Sequence, residues 1–166
     1  MTGRRLVVGF LAGALAVPIF HQGALALLHA AGVAPQQAWA VPQLWSLMFW
    51  GGVWGVVLAA LLGGLRGGAL LGASLLFGAL FPTLVAWFIV APLKGQPMAA
   101  GFVPAAMLVG PIVNAAWGLG AGLGLALFGP RERRRSTIDR RCVIQPVEHE
   151  QRLIARRDMA LGGFPR

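Results

Sequence analysis

Acidic side chains are missing from the apolar part of this 166-residue chain, since all five Asp and Glu lie beyond Pro130. There is no tyrosine, one cysteine (Cys142) and one lysine (Lys94). Only 11% of the residues are charged, against roughly 25% in a soluble domain. Each scarcity removes a class of chemistry. With no carboxylate between Met1 and Pro130, nothing in that region can orient a histidine in a Ser-His-Asp triad or couple a proton to transport. A single cysteine cannot run a disulfide exchange cycle within one chain. No cluster has zinc-ligand spacing, and no glycine loop is followed by the Lys and Ser or Thr of a phosphate-binding turn. The chain therefore reads as non-enzymatic, with no metal and no cofactor.

What is abundant is apolar: 57% of the residues are hydrophobic and 24 are glycine, with a mean hydropathy of +0.72. A soluble enzyme, a disordered chain and a disulfide scaffold are all excluded by that balance. A helix rising 1.5 Å per residue needs about 20 apolar residues to cross a hydrocarbon core of roughly 30 Å. Four segments meet this requirement, at about residues 6–33, 44–65, 69–93 and 102–128. Between them lie turn signals: Ala34-Pro35-Gln36-Gln37 with Pro42, Gly63-Gly64-Leu65-Arg66-Gly67-Gly68, and Pro92-Leu93-Lys94-Gly95-Gln96-Pro97. The expected fold is all-α: a transmembrane bundle of four helices over residues 1–130, with a short basic cytoplasmic tail over residues 131–166. Short connections make consecutive helices antiparallel neighbours.

Basic residues set the expected orientation, because they tend to stay on the cytoplasmic side. Arg4 and Arg5, Arg66, and the run at 131–135 fall on one side of a four-span chain; Lys94 alone dissents. Both termini are thus expected in the cytoplasm. Trp39, Trp45, Trp87 and Phe102 then gather near the outer interface, where amphipathic rings collect. The start also has the three regions of a cleavable signal peptide, in Arg4-Arg5, Leu6 to Ala16 and Ala14-Leu15-Ala16. Apolar character continues through Leu28, which favours an uncleaved first span.

Ten of the 14 Lys and Arg residues lie in the tail. Arg131, Arg133, Arg134 and Arg135 directly follow a span, so they are expected to meet anionic lipid headgroups rather than nucleic acid, at about 1 kcal/mol per basic residue. The tail is too short for a core of its own. Residues 147–161 have the spacing of a helix, with Val147, Ile154 and Leu161 seven apart and Arg152, Arg156 and Arg157 nearby; a disordered tail is the alternative.

Lipid tails are as apolar as leucine, so helices must associate through close packing and hydrogen bonds. Small residues recur every four positions on one helix face: Gly9 and Gly13; Gly51, Gly55, Ala59 and Gly63; and Gly110, Asn114, Gly118 and Gly122. Pro18 and Pro82 each remove a helical hydrogen bond, freeing the carbonyls of Ala14 and Gly78.

Polar groups within the spans carry the functional expectation. His21, with Gln22 beside it, and Thr83 stand about 21 to 22 Å along the first and third helices, Asn114 about 18 Å and Trp54 about 15 Å in from the outer ends of the fourth and second. Either His21, Gln22, Thr83 and Asn114 line a polar pocket, or they join helices at about 0.6 kcal/mol per hydrogen bond. Haem ligation by His21 and His29 is disfavoured, for the two stand about 12 Å apart on one helix. His149 lies in the tail.

Phe20-His21-Gln22-Gly23, Phe49-Trp50-Gly51-Gly52-Val53-Trp54-Gly55, Leu93-Lys94-Gly95-Gln96-Pro97 and Asn114-Ala-Ala-Trp117-Gly118-Leu119-Gly120 resemble segments of a group of small bacterial membrane proteins with no assigned activity. The resemblance covers about residues 6 to 128. It implies a four-helix inner-membrane protein and adds no reaction, cofactor or catalytic residue. The functional expectation is an accessory or structural subunit that packs with itself or with a larger membrane complex. A small transporter or channel using the polar pocket is the alternative, and a haem- or quinone-associated subunit comes third.

Overall fold

A computed structural model describes residues 3–34, 41–130, 151 and 156–157. Arg131, Arg133, Arg134 and Arg135, Trp39 and most of residues 147–161 lie outside the described residues; Gln151, Arg156 and Arg157 are helical. Residues 1–130 form one compact unit, distinct from the tail. The first unit consists of four long helices: α1 Gly3–Ala30, α2 Val41–Leu62, α3 Gly67–Leu93 and α4 Pro104–Phe128. Each is long and apolar enough to cross a membrane, and no strand occurs among the described residues. The chain is a four-helix, multi-pass membrane protein.

Local chemistry accounts for where the helices begin and end, and for how they depart from the spans expected from hydropathy. The first stops at Ala30 rather than near residue 33, because Gly32 turns left-handed at φ 73 and His29 Nδ1 donates to the Ala34 carbonyl at 3.1 Å. The second starts three residues before Leu44, at Val41, with Pro42 in its first turn, where a missing amide costs nothing. It ends at Leu62, before Gly63-Gly64. The fourth starts at Pro104, not Phe102, because Phe102 has a positive φ of 58.

Pro18 and Pro82 lie inside helices, and both helices stay continuous. Each widens into one π turn, at Val17–His21 around Pro18 and at Ala86–Val90 one turn beyond Pro82. In the first, the Gln22 amide donates to the Val17 carbonyl five residues back. A π turn keeps the backbone hydrogen-bonded across an irregularity that hydrocarbon would otherwise penalise.

The distribution of side-chain sizes reverses that of a soluble bundle. On α1, Val7, Leu11, Leu15 and Ile19 are all more than half exposed, whereas Gly9, Gly13, Ala16 and Val17 are buried. Large apolar groups face outward, toward lipid, and small ones face protein. This inversion lets backbones approach closely. A methyl group at Gly9 would stand 2.5 Å from the Ala59 Cβ, and one at Gly13 would run into the Gly51 carbonyl. At the crossing of α3 and α4, methyl groups at Gly78 and Gly118 would run into the carbonyls of Asn114 and Ser74. Around the bundle, α2 packs on α1, α1 on α4 and α4 on α3, while the seam between α2 and α3 is the sparsest. Arg5 is buried against Gly63, whose methyl would stand 2.7 Å from the Arg5 Cδ, so the start of α1 and the end of α2 share one end of the bundle.

At the opposite end the α3–α4 connection contains a left-handed turn, with φ of 47, 55, 68 and 58 at Ala99, Ala100, Gly101 and Phe102. Each non-glycine residue in that region costs about 1–2 kcal/mol. Complete burial of the Ala99 side chain helps hold the turn in place.

Two stability outcomes follow from this packing. Gly13→Ala and Gly118→Ala should each lose about 1–3 kcal/mol through overpacking, whereas Gly72→Ala, with open space around it, should lose nothing. Ala100→Gly should gain about 1 kcal/mol by relieving the left-handed strain. Reversible unfolding in mixed micelles reads all four.

Candidate functional site

The interior polar groups lie on two helix crossings. On α3, Thr83 is buried at 1% exposure, one residue past Pro82. Asn114 on α4 donates from Nδ2 to the Thr83 Oγ1 at 2.9 Å. Gly110, one turn before Asn114, leaves room for the neighbouring side chains: a methyl there would meet Thr83 Cγ2 and Trp87 Nε1, each at 3.2 Å. Two of the four residues expected to form a pocket are thus joined directly to each other. Their bond ties α3 to α4.

His21 and Gln22 sit on α1, at the end of the π turn and the residue after it. Gln22 is buried at 8% exposure. His21 is half-buried, and its Nδ1 is buried with no hydrogen-bond partner among the described residues. Among the described residues no hydrogen bond connects this pair to Thr83 or Asn114, so the bonded set is Thr83 with Asn114 rather than a ring of four. His29, exposed near the end of the same helix, is engaged with the Ala34 carbonyl. Among the described residues no group of three or more His, Cys, Asp or Glu could hold a metal ion.

The best-buried polar contact involves a residue that sequence reasoning passed over. Trp117 on α4 is 2% exposed, and its Nε1 donates to the Gly13 carbonyl at 2.8 Å. That oxygen belongs to the close approach between α1 and α2, so one indole fastens the second hairpin to the first. A signal existed: Trp117 precedes Gly118 directly and lies one turn from Asn114 on the same face. Trp54, expected as a hydrogen-bonding group at mid-depth, meets Phe77 edge to face at 5.9 Å. Ser74, which as a lone serine in a span is expected to bond its own helix backbone, is fully buried with its Oγ unpartnered among the described residues. Its hydroxyl occupies the space that a side chain at Gly122 would fill, 2.6 Å from that methyl position. This serine lengthens the α3 stripe of Leu70, Ser74 and Gly78, which a search for glycine and alanine does not find.

The six glycines expected at packing faces fall into three environments. Gly51, Gly55, Gly118 and Gly122 are buried at crossings, Gly63 lies under Arg5, and Gly110 is half-buried beneath Trp87 and Thr83. Gly120 and Gly124 form a second α4 face, against Phe20 and Ala12 of α1. With glycines on two faces, α4 can pack closely against both α3 and α1.

A double-mutant cycle on Thr83→Val and Asn114→Ala should give a coupling of about 0.6 kcal/mol. Trp117→Phe keeps the ring and loses the donor, and should cost about 1 kcal/mol. Both are read by the same micellar unfolding. Comparison with known protein families, curated proteins and solved structures finds no match to this chain.

Proposed function

We propose that the chain is a non-enzymatic accessory or structural subunit of a bacterial inner membrane, packing with itself or with a larger membrane complex. One observation carries this reading: the interior is filled by glycine-mediated backbone approach, and the hydrogen bonds that join its helices, Asn114 to Thr83 and Trp117 to the Gly13 carbonyl, bind the protein to itself. Such an interior supplies rigidity within each hairpin and has little to offer a substrate. The likeness to small four-helix inner-membrane proteins belongs to the same reading.

On this reading both termini lie in the cytoplasm. Arg4, Arg5 and Arg66 share one end of the antiparallel bundle, Lys94 stands alone at the other, and the basic run after Pro130 supplies lipid-headgroup anchoring. A second reading, a small transporter, draws on His21: an imidazole nitrogen buried in a membrane span without a partner is a group that a bound molecule could satisfy.

Purification of the full chain in mild detergent, followed by native mass spectrometry, separates the two. A stable stoichiometric assembly that survives His21→Ala supports the subunit reading; a monomer that retains a small molecule, lost on His21→Ala, supports the transporter. Reporter fusions to the two termini should both report cytoplasm, and ends in opposite compartments would contradict the topology.

A further inference from the structure

The two helix hairpins of the bundle repeat one another. In α1 and α3, one constant offset carries Gly9 and Gly13 onto Ser74 and Gly78; in α2 and α4, another carries Trp54-Gly55, Leu58-Ala59 and Leu62 onto Trp117-Gly118, Ala121-Gly122 and Leu125. The contacts repeat as well as the letters. In the first hairpin, methyl groups at Gly13 and Gly55 would run into the carbonyls of Gly51 and Gly9; in the second, their counterparts Gly78 and Gly118 would run into those of Asn114 and Ser74. Both hairpins enter from the same end of the bundle, so the halves are parallel repeats rather than inverted ones.

Equivalent halves have two equivalent seams between them, and here the seams differ. At the α1/α4 seam, Trp117 reaches across to the Gly13 carbonyl at 2.8 Å. At the α2/α3 seam, the matching tryptophan, Trp54, meets Phe77, the residue before the matching glycine Gly78, edge to face at 5.9 Å. The counterpart of Phe77 in the first hairpin is Ala12, which lies against Gly124. A bulky ring thus stands where the closed seam has a methyl group. Pro82 also withdraws the amide that would bond the Gly78 carbonyl from four residues on, leaving that oxygen without its ordinary helical donor. The α2/α3 seam thus has the tryptophan and glycine of the closed seam, with the Phe77 ring against the tryptophan.

We infer that the two hairpins rock against each other between the arrangement seen here and one in which Phe77 swings aside, Trp54 Nε1 donates to the Gly78 carbonyl, and the α1/α4 seam loosens as α2/α3 closes. This motion is independent of the subunit reading above, because it concerns the chain alone. Packed interfaces of this kind switch between discrete arrangements more readily than they deform. The glycine crossings within each hairpin stay intact, and only the contacts between hairpins exchange.

Spin-label distances in the full chain test this, using a Cys142→Ser background in phosphatidylethanolamine/phosphatidylglycerol bilayers. Ser46→Cys with Leu84→Cys spans the α2/α3 seam, and Ile19→Cys with Ile112→Cys spans α1/α4; all four positions are exposed. Phe77→Ala should shorten the first distance and lengthen the second, and Trp54→Phe added to it should restore both. Trp117→Phe, which removes only the closing hydrogen bond, should shift the pairs in the same opposed directions and decides the matter should Phe77→Ala fail to fold. Distances that stay unchanged in the folded variants, or that rise or fall together, overturn the inference.

Discussion

Close backbone approach at glycine is the constraint on which the rest of this structure depends. In water, helices of this composition would be driven together by burying leucine; in lipid, that force is absent between them, since the surroundings are as apolar as the side chains. Cohesion must come from dispersion at short range and from hydrogen bonds, and both need the helix axes to come near. The carbonyls of Gly51 and Asn114 occupy the positions that methyl groups on Gly13 and Gly78 would take. The outward faces follow from this requirement: with small residues used inside, Leu11, Leu15 and their counterparts are left to meet lipid.

The polar groups are subordinate to that packing. Asn114 and Thr83 meet because α3 and α4 already cross at Gly78 and Gly118, and Trp117 reaches the Gly13 carbonyl because no side chain on Gly13 stands in the way. Each bond adds little beside the dispersion energy of the crossings, but it selects a register, since a slide of one residue would break it. Pro18 shows the same economy of structure. The break it introduces is absorbed by a π turn, and His21 at the end of that turn is left with a buried, unpartnered nitrogen.

The division into two similar hairpins explains why the bundle is uneven around its circumference. Contact is close within each hairpin and along α1/α4, and thin along α2/α3, where Trp54 leans on Phe77. A bundle built only for static cohesion would gain by closing that seam too. Keeping an aromatic ring in it leaves the halves a second way to fit together.

Composition and spacing alone determined the number of helices, their approximate limits and the small-residue faces on α1, α2 and α4, because crossing hydrocarbon requires about 20 apolar residues whatever the partner and a four-residue period marks a face on any helix. They also singled out Asn114 and Thr83, as polar groups stranded at depth. They did not reveal that these two bond each other while His21 and Gln22 stand apart on α1. Which helix lies beside which is a property of the assembled bundle, and every helix here is apolar on all sides, so no amphipathic pattern points from one to another. Trp117 and Ser74 were hidden for the same reason. An indole in a span carries no sign of which carbonyl it will meet, and a serine reads as bonded to its own helix, until the neighbouring backbone is in place to say what each one touches.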